Sequence, residues 1–326
     1  MVKITVCGKV FHGVMHGKPA LTEAEAVFTT SHSGYVESCT DPSYSMQALV
    51  FAHSVIGAHS IYESAKQSNT FWPAFVIATQ PSEDFIRWAV ANDGCVIAVA
   101  TAREIVELSR NAVTIKLSGD FLIRDSSQLR YHSESDTDAD LLVIDFGCKN
   151  SLLTSFHARG ISTSVKKSQS LSTSYVKDFR GAILLSSGPG DPRADTHGCH
   201  LTETAVSVSR AVFGVCYGHQ LLSIVHGCDI AKMTLGHRGA NHPVMSLSDK
   251  AIMITSHNHG FTVADNYHIS KQEITYRSLL DNTIEGISTD RFMSVQFHPE
   301  GHPGPRVPFI IESMVSKIRS HRGHQE

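Results

Sequence analysis

The sequence lacks three features that would each point to a particular class of protein. Its seven cysteines are an odd number and include no Cys-x-x-Cys pair, which disfavours both a disulfide framework and a cysteine-rich zinc site. No apolar run reaches about 18 residues, so no membrane-spanning helix is expected. The formal net charge of -3 argues against nucleic acid or an anionic membrane surface as the main partner.

No targeting segment is expected either. The first residues, Met-Val-Lys-Ile-Thr-Val-Cys-Gly, are too short and too mixed in character for a secretory signal peptide. Because the cysteines also form no disulfide pattern, the sequence predicts that the protein resides in a reducing cytoplasm.

Motifs for nucleotide and sugar chemistry are also missing. A phosphate-binding P-loop needs a Lys and a Ser or Thr after its glycines, and Gly218-His219-Gln220 provides neither, so no ATP site is expected in this chain. Paired acidic residues, which glycosidase chemistry would need, do not occur near the glycine-rich loops.

Histidine, in contrast, is abundant, with twenty in the chain. Such a number raises the question of a metal site. His257 and His259 alternate at strand spacing, which would put both side chains on one face. No acidic or Cys partner lies at ligand spacing near them, so no metal site is expected.

The chain is long enough for two domains of ordinary size. It has 326 residues, of which 41% are hydrophobic and 18% are charged, as is typical of a globular protein with a sizeable core. Residues 124–139 are polar and rich in Ser and Asp, which predicts a linker. We therefore expect an N-terminal domain at 1–123 and a C-terminal domain at 140–326.

The N-terminal domain is predicted to be a smaller, β-rich α/β domain. Short apolar or β-branched runs, separated by Gly, Pro and Ser turns, indicate strands. Apolar stripes at helical spacing indicate two helices. The predicted strands are Lys3–Val6, Ala26–Thr29, Met46–Ala52, Phe75–Ala78 and Cys95–Val99, and the predicted helices are Glu83–Asn92 and Ala102–Arg110.

The C-terminal domain alternates between strand and helix patterns. Leu141–Asp145 opens it with a continuous apolar run, as expected of a strand buried on both faces. Such alternation predicts a doubly wound, mostly parallel sheet, with an active site at the carboxyl ends of its strands. Further strands are predicted at Ser162–Val165, Ala182–Leu185 and Ala211–Val215, and helices at Ser151–Arg159 and Pro308–Ile318.

One cysteine lies where an α/β enzyme would carry a nucleophile. An apolar run leads into Gly214-Val215-Cys216-Tyr217-Gly218, and a helix-like pattern follows. This is the layout of a nucleophile elbow, in which glycines allow a tight turn and the helix N-terminus favours a thiolate. Taken alone, the run is better explained by a buried structural cysteine beside a turn.

Three other stretches contain the residue types that thiol chemistry needs. Ser186–Pro192 follows a strand and has few side chains, so its backbone N–H groups could bind an oxyanion. Ser256–Phe261 could line a substrate pocket. Ser294–Glu300 ends in His298-Pro299-Glu300, where an imidazole could take the thiol proton and a carboxylate could orient the imidazole. Each stretch has a plainer alternative, namely a tight turn, a polar loop, and a surface His and Glu.

In combination, these motifs resemble the class I, triad-type glutamine amidotransferases. Within that group the chain resembles the small, glutamine-hydrolysing subunit of carbamoyl-phosphate synthase, whose amidotransferase domain follows a separate N-terminal domain. The resemblance covers nearly the whole chain. It rests on Gly214-x-Cys216-x-Gly218-His219-Gln220, Ser186-x-Gly188-Pro189-Gly190-Asp191-Pro192, Asn258-His259-Gly260-Phe261, His298-Pro299-Glu300, Val27–Tyr35, Thr40–Tyr44, Gly236–Pro243 and Pro303-Gly304-Pro305.

The resemblance implies glutamine hydrolysis to glutamate and ammonia by a Cys-His-Glu triad. Cys216 would attack the carboxamide carbon, His298 would act as base and then as acid, and Glu300 would orient His298. Ammonia would pass to a large synthetase subunit that uses bicarbonate and ATP, so no cofactor is expected in this chain. The glutamine pocket, against the domain junction, would be formed by Ser31, Gly188, Gly190, Tyr217 (main chain), Gln220, Asn258, Gly260 and Phe261.

The chain also departs from the family pattern. Three single-residue departures lie in the C-terminal domain. In the N-terminal domain, two short motifs of the family pattern are replaced by other residues. Two alternatives therefore stay open: an amidotransferase that feeds a different synthetase, and a non-catalytic regulatory subunit. The departures are Tyr217 for Leu, Ser187 for Asn, His257 for Gln, Gly57–Tyr62 for Gly-Asn-x-Gly-x-Asn (with Ala58 and Tyr62 at the Asn positions), and Thr101-Ala102-Arg103 for Asp-Thr-Arg.

Overall fold

A computed structural model of the chain describes residues 1–111, 113–123, 139–209, 211–265 and 273–322. The chain divides into two compact units, Met1–Arg130 and Tyr131–Glu326. The predicted linker lies outside the described residues except for Ala139, so the predicted domain boundaries stay predictions. No helix in these ranges is long and apolar enough to cross a membrane.

The first unit contains nine strands and three α-helices among its described residues. In chain order they are β1 (Val2–Val6), β2 (Lys9–Gly17), β3 (Glu23–Thr29), α1 (Tyr35–Thr40), β4 (Ala48–Phe51), β5 (Val55–Ile56), β6 (Phe75–Ala78), β7 (Gln80–Pro81), α2 (Glu83–Ala91), β8 (Cys95–Val99), α3 (Arg103–Leu108) and β9 (Thr114–Ser118).

Seven of these strands close into a barrel in the order β1-β2-β8-β6-β4-β3-β9. Alternate residues of β1, including Ile4, are buried in the same apolar cluster as Ile77 of β6 and Ile97 of β8. Outside this cluster, Ser82 caps the N-terminus of α2 by accepting from Phe85 N, and the helix buries Phe85 in a second cluster. The strands and helices predicted here are therefore confirmed, as is the β-rich α/β class.

Two barrel strands, β2 and β9, were not predicted. Most residues of β2 are exposed or only partly buried, and the exposed positions do not alternate regularly with buried ones. Strand β9 alternates cleanly, but it has only two buried residues, Ile115 and Leu117. Strands with so few buried residues give a weak pattern, because it is their pairing with neighbours that stabilises them.

The second unit contains nine strands and five α-helices among its described residues. They are β10 (Leu141–Asp145), α4 (Asn150–His157), β11 (Thr163–Lys167), α5 (Thr173–Asp178), β12 (Ala182–Leu185), α6 (Thr196–Val208), β13 (Val212–Val215), α7 (Tyr217–Val225), β14 (Ile230–Ser246), β15 (Ile252–Val263), β16 (Ile274–Ser278), β17 (Ile284–Ser288), β18 (Phe292–Val295) and α8 (Pro308–Arg322).

These strands form one sheet in the order β11-β10-β12-β13-β18-β17-β15-β14-β16. The first five are parallel, and helices cover both of their faces. Leu142 of β10 packs in a cluster with α5, α6 and α7, whereas its neighbour Val143 packs with α4 and α8. The continuous apolar run of β10 is thus explained by burial on both faces, and the predicted doubly wound sheet is confirmed.

The sheet continues beyond β18 as four antiparallel strands. The longest are β14 and β15, which pair with each other but shift register twice. Ser256–Phe261 lies within β15, so its interpretation as an ordinary polar loop is wrong. The polar sequence misled because this strand buries hydrogen-bonded polar side chains, such as Thr255 and His257, in place of apolar ones.

Candidate active site

The candidate nucleophile lies between a strand and a helix, as the sequence predicts. Cys216 follows the last residue of β13 and precedes the first residue of α7. Its backbone N–H donates to the Val295 carbonyl of the neighbouring strand β18 over 2.9 Å. Cys216 has φ 55° and ψ −100°, a conformation that costs a non-glycine residue energy and is found most often at functional sites.

The two glycines of the elbow allow helix α7 to approach strands β12 and β13 closely. A Cβ at Gly214 would lie 2.7 Å from the Gly218 carbonyl carbon, and a Cβ at Gly218 would lie 2.1 Å from the Leu185 carbonyl oxygen. Neither glycine has a positive φ, so the strained backbone falls on Cys216 itself. The helix therefore starts directly against the ends of β12 and β13, with Cys216 at the turn.

His298 and Glu300 come from the chain that follows β18, the strand next to β13. His298 N donates to the Ser256 carbonyl over 2.8 Å, which ties this segment to β15. His298 Nδ1 lies 2.8 Å from Glu300 Oε1, and both side chains are at most 1% exposed. Within the described chain, Nε2 has no hydrogen-bond partner of good geometry, so this nitrogen is available to a thiol or a substrate.

A buried lysine completes this group. Lys149 Nζ lies 3.1 Å from Glu300 Oε1 and donates to the Gly301 carbonyl over 2.8 Å, and its side chain is 1% exposed. Sequence reasoning missed Lys149. It could have been found as the one charged residue in the turn after β10, at the same carboxyl edge of the parallel strands as Cys216.

The electrostatics of the group differ from those of an isolated buried histidine. Burial alone lowers the pKa of His219 to about 3. Burial and the Lys149 ammonium also lower the pKa of His298, but Glu300 and the Cys216 thiol outweigh them and raise it to about 9. Burial raises the pKa of Glu300, whereas Lys149 and His298 lower it, with a net result of about 2. His298 is therefore a stronger base than an isolated buried histidine, and it lies beside an ionised carboxylate.

The predicted oxyanion residues lie at two adjacent strand ends. Gly188 follows β12, and a Cβ there would lie 2.7 Å from the Phe146 carbonyl oxygen, so this position admits only glycine. Gly190 has φ +102°, which also favours glycine. Tyr217 is the first residue of α7, where a backbone N–H has no acceptor within its own helix.

The remaining predicted pocket residues of the second unit lie on β15 and α7. The Cys216 thiol donates to the Asn258 carbonyl over 3.8 Å. Gln220 Nε2 donates to the Phe261 carbonyl and to Gln296 Oε1, each over 3.0 Å. Gly260 is the residue between His259 and Phe261. The structure thus ties Asn258 to Cys216 and Phe261 to Gln220, although their predicted role in binding glutamine stays a prediction.

Two further residues of the predicted glutamine pocket, Ser31 and Tyr217, need separate description. Ser31 is buried just after β3 in the first unit, so its predicted place in the pocket stays a prediction. The side chain of Tyr217, where the family pattern has Leu, donates its hydroxyl to Asp195 Oδ2 over 3.1 Å. Burial and Asp195 raise the pKa of this phenol. The tyrosine therefore belongs to the packing of α6 against α7, and its backbone remains the part relevant to an oxyanion.

Metal ligands were expected to be absent because no partner lies near His257 and His259 in sequence. The fold, however, brings two residues from other strands to them, His237 of β14 and Glu285 of β17. Sequence spacing could not have indicated this, since the partners come from separate antiparallel strands.

Two family models match this chain. Residues 142–318 match the family described as glutamine amidotransferase class-I, and residues 5–109 match the family described as carbamoyl-phosphate synthase small chain, CPSase domain. Among solved structures, a glutamine amidotransferase from Thermotoga maritima is 14% identical, with 56% of this chain and 84% of that chain covered and a TM-score of 0.42.

Curated relatives match over almost their full length. The carbamoyl phosphate synthase small chain of Pectobacterium atrosepticum is 31% identical, covering 97% of this chain and 96% of that protein. The protein of the same name from Akkermansia muciniphila is 32% identical, covering 92% of each chain. The chain belongs to the carbamoyl phosphate synthase small chain family and carries a class I glutamine amidotransferase domain.

Proposed function

We propose that this protein hydrolyses L-glutamine to glutamate and ammonia with Cys216, His298 and Glu300. The observation that carries the proposal is the strained Cys216 at the end of β13, one strand away from a buried His298–Glu300 pair 2.8 Å apart. The unpartnered Nε2 of His298 is the proton acceptor or donor that thiol chemistry requires.

In the proposed reaction, Cys216 Sγ forms a bond to the carboxamide carbon of glutamine while its proton goes to His298 Nε2. The resulting oxyanion accepts from backbone N–H groups at Tyr217 and in the Gly188–Gly190 loop. His298 then donates the proton to the leaving nitrogen, and the C–N bond breaks to release ammonia. Water activated by His298 hydrolyses the thioester, which releases glutamate and restores the thiol.

Glu300 and Lys149 support this cycle without contacting the substrate. Glu300 fixes the tautomer of His298 by accepting from Nδ1–H and stabilises the imidazolium that forms. Lys149 balances the charge of Glu300 at 3.1 Å, so the carboxylate stays ionised although it is fully buried. The pocket for the glutamine side chain and its α-substituents would use Gln220, Asn258, Gly260 and Phe261.

The ammonia would be delivered to a large synthetase subunit that uses bicarbonate and ATP. The relatives named above are small chains of carbamoyl phosphate synthase, a name that implies a larger companion. No cofactor is proposed for the hydrolytic step itself, and no nucleic acid or membrane partner is proposed.

The decisive experiment measures glutamate release from glutamine, with and without a carbamoyl phosphate synthase large subunit. The wild type should turn over, and Cys216→Ala should lose at least about 10⁴-fold in kcat, as expected when a covalent nucleophile is removed. Cys199→Ala, a second cysteine of the same unit, should stay within about 3-fold of the wild type. Absence of glutamate release by the wild type under every partner condition would refute the proposal.

A second candidate function is glutamine hydrolysis for a different synthetase. It is favoured by the altered run Gly57–Tyr62 in the first unit, where Tyr62 is 64% exposed and could contact a different partner. Capture of the partner subunit followed by an assay distinguishes the two. A captured subunit that forms no carbamoyl phosphate from bicarbonate, ATP and glutamine would favour this second candidate.

A further inference from the structure

A second group of ionisable side chains is buried in the antiparallel part of the sheet. We call it the histidine cluster, and it consists of His237, His257, His259 and Glu285. Each residue places one potential ligand atom within 4.8 Å of those of the others. Their exposed fractions are 6%, 3%, 4% and 0%, so the atoms that face one another are shielded from bulk water.

Three adjacent strands bring the cluster together. His257 and His259 are two residues apart on β15, so their side chains leave the same face of the sheet. His237 lies directly opposite His259 on β14, and Glu285 belongs to β17 on the other side of β15. The cluster therefore does not depend on any loop.

The outward hydrogen bonds fix which ring nitrogens face inward as acceptors. His259 Nδ1 lies 2.9 Å from the Phe261 carbonyl, which can only accept, so Nδ1 carries the proton and Nε2 presents a lone pair. Thr255 Oγ1 donates its own proton to the His242 carbonyl over 2.9 Å. His257 Nε2, 2.7 Å from that hydroxyl, must therefore donate to it, which leaves a lone pair on His257 Nδ1.

The inward atoms are consequently acceptors that face acceptors. His257 Nδ1 and His259 Nε2 are 3.0 Å apart, and each presents a lone pair to the other. His237 donates through Nε2 to Asp281 Oδ2 over 3.0 Å, while its Nδ1 has no hydrogen-bond partner. Such an arrangement is unfavourable unless a cation lies between the atoms.

The Glu285 carboxylate of the cluster also requires a nearby cation. Glu285 Oε1 lies 3.3 Å from His237 Nδ1, and Glu285 Oε2 lies 3.7 Å from His257 Nδ1. Thr283 donates to Oε1, but Oε2 has no hydrogen-bond partner although the side chain is fully buried. A buried carboxylate without a compensating positive charge is costly, and His257 and His259, which both direct lone pairs inward, do not supply one.

We propose that His237 Nδ1, His257 Nδ1, His259 Nε2 and the Glu285 carboxylate bind a zinc ion. Ligand atoms about 2.05 Å from a tetrahedral zinc are about 3.3 Å from one another. Here His257 Nδ1 and His259 Nε2 are 3.0 Å apart, His237 Nδ1 is 3.3 Å from Glu285 Oε1, and one ligand atom from each of the four residues lies within 4.8 Å of the others. Imidazole nitrogens favour zinc over magnesium or calcium, which prefer oxygen ligands throughout.

The outer hydrogen bonds also match those of metal-bound imidazoles. Zinc-ligating histidines donate their second N–H to a carboxylate, a carbonyl or a hydroxyl, which orients the ring. Here the three acceptors are Asp281, Phe261 and Thr255. Four protein ligands leave no open position, so the ion is structural. It fixes the segment of β15 on which Asn258, between two ligands, accepts from the Cys216 thiol.

Zinc content of tag-free protein tests the proposal. The protein is expressed with added zinc, dialysed against a weak chelator and analysed by elemental mass spectrometry. The measurement uses a Cys216→Ala background, because the thiol and His298 could otherwise hold zinc themselves. About one zinc ion per chain is expected, falling below about 0.1 when His257→Gln is added. His200→Gln, an exposed histidine in the same unit, should keep the full content.

Two further readouts separate loss of the ion from loss of the fold. The Glu285→Gln variant keeps the shape of the side chain and should also lose zinc, while circular dichroism of each variant checks that it is folded. Cobalt loaded in place of zinc should give the visible spectrum of a four-coordinate ion in the Cys216→Ala background but not after His257→Gln. Zinc should also raise the thermal midpoint only where the cluster is intact.

Several results would overturn the proposal. Equal zinc content with and without His257→Gln would place the ion elsewhere. Failure of Cys216→Ala protein to retain zinc, together with an unchanged thermal midpoint on zinc addition, would mean that shared protons satisfy the cluster. These outcomes are independent of glutamine hydrolysis, so they leave the proposed function untouched.

Discussion

The second unit buries two groups of ionisable side chains, and they balance charge in different ways. In the first, Glu300 lies between the Lys149 ammonium at 3.1 Å and His298 at 2.8 Å, so the protein itself supplies the cation. In the histidine cluster, Glu285 lies 3.7 Å from His257 Nδ1, and both His257 and His259 direct lone pairs inward. Both groups are buried, and the difference between them is whether the group includes a lysine as a fixed positive charge.

This difference suggests different uses. A group that balances its own charge can leave one position free for chemistry, which here is Nε2 of His298. A group that consists of converging acceptors is suited to hold an ion. The first group lies at the carboxyl ends of parallel strands, where a substrate can approach, whereas the second lies within paired antiparallel strands.

Replacing His298 should have the largest effect, because it removes the free nitrogen that distinguishes the first group. His298→Asn keeps a hydrogen-bonding side chain but cannot move a proton, and kcat for glutamate release should fall by about 10² to 10⁴-fold. His200→Asn, at an exposed position of the same unit, is the matched control. Full activity of His298→Asn would show that another residue is the base.

Removing Lys149 tests whether the protein really supplies the balancing charge of the first group. Lys149→Met leaves Glu300 buried without its cation, which should lower the free energy of unfolding by about 3–5 kcal/mol. Urea unfolding monitored by circular dichroism measures the free energy of unfolding. The exposed Lys177→Met should change stability by less than about 0.5 kcal/mol. Equal effects of the two variants would contradict the role of Lys149.

The pH dependence of stability should carry the signature of the same group. The pKa of Glu300 is lowered from 4.5 to about 2, so its contribution is present above pH 4.5 and is lost as pH falls towards 2. The pKa of His298 is raised from 6.5 to about 9, so its contribution is present below pH 6.5 and is lost as pH rises towards 9. Stability from this group is therefore greatest between these two limits.

Urea unfolding at a series of pH values compares the wild type with Glu300→Gln. The difference in free energy of unfolding should be largest between pH 4.5 and 6.5 and should shrink on both sides. Curves that run parallel across the whole range would mean that His298 and Glu300 are not coupled as the geometry indicates.

The first group could be predicted from sequence to a large extent. Cys216 follows an apolar run and a glycine, and His298 and Glu300 follow another strand, so general rules for parallel α/β sheets locate them at one edge. Lys149 was not predicted, because a single lysine in a turn is far more often exposed. The strained φ of Cys216 was not predicted either, since it results from the approach of α7 to the strands.

The second group could not be predicted, for a physical reason. His257 and His259 were correctly expected to share one face, but their partners lie on β14 and β17, and antiparallel pairing with register shifts brings them close. Local spacing contains no information about such contacts. The barrel of the first unit shows the same limit, since β2 and β9 are stabilised by pairing more than by their own pattern.

The smallest effect on either group is expected from a residue that contacts a proposed zinc ligand but does not itself bind the ion. Asp281 accepts from His237 Nε2 over 3.0 Å and is itself partly exposed, so Asp281→Asn should leave the fold intact. If His237 binds zinc, loss of this carboxylate should weaken zinc affinity by about 10 to 100-fold, because it no longer orients the ring and makes it more basic. Competition with a chromophoric chelator measures the affinity in the Cys216→Ala background. Asp290→Asn, an exposed acid near β18, should leave the affinity unchanged. An equally tight site in Asp281→Asn would contradict the role of Asp281 in orienting His237 as a zinc ligand.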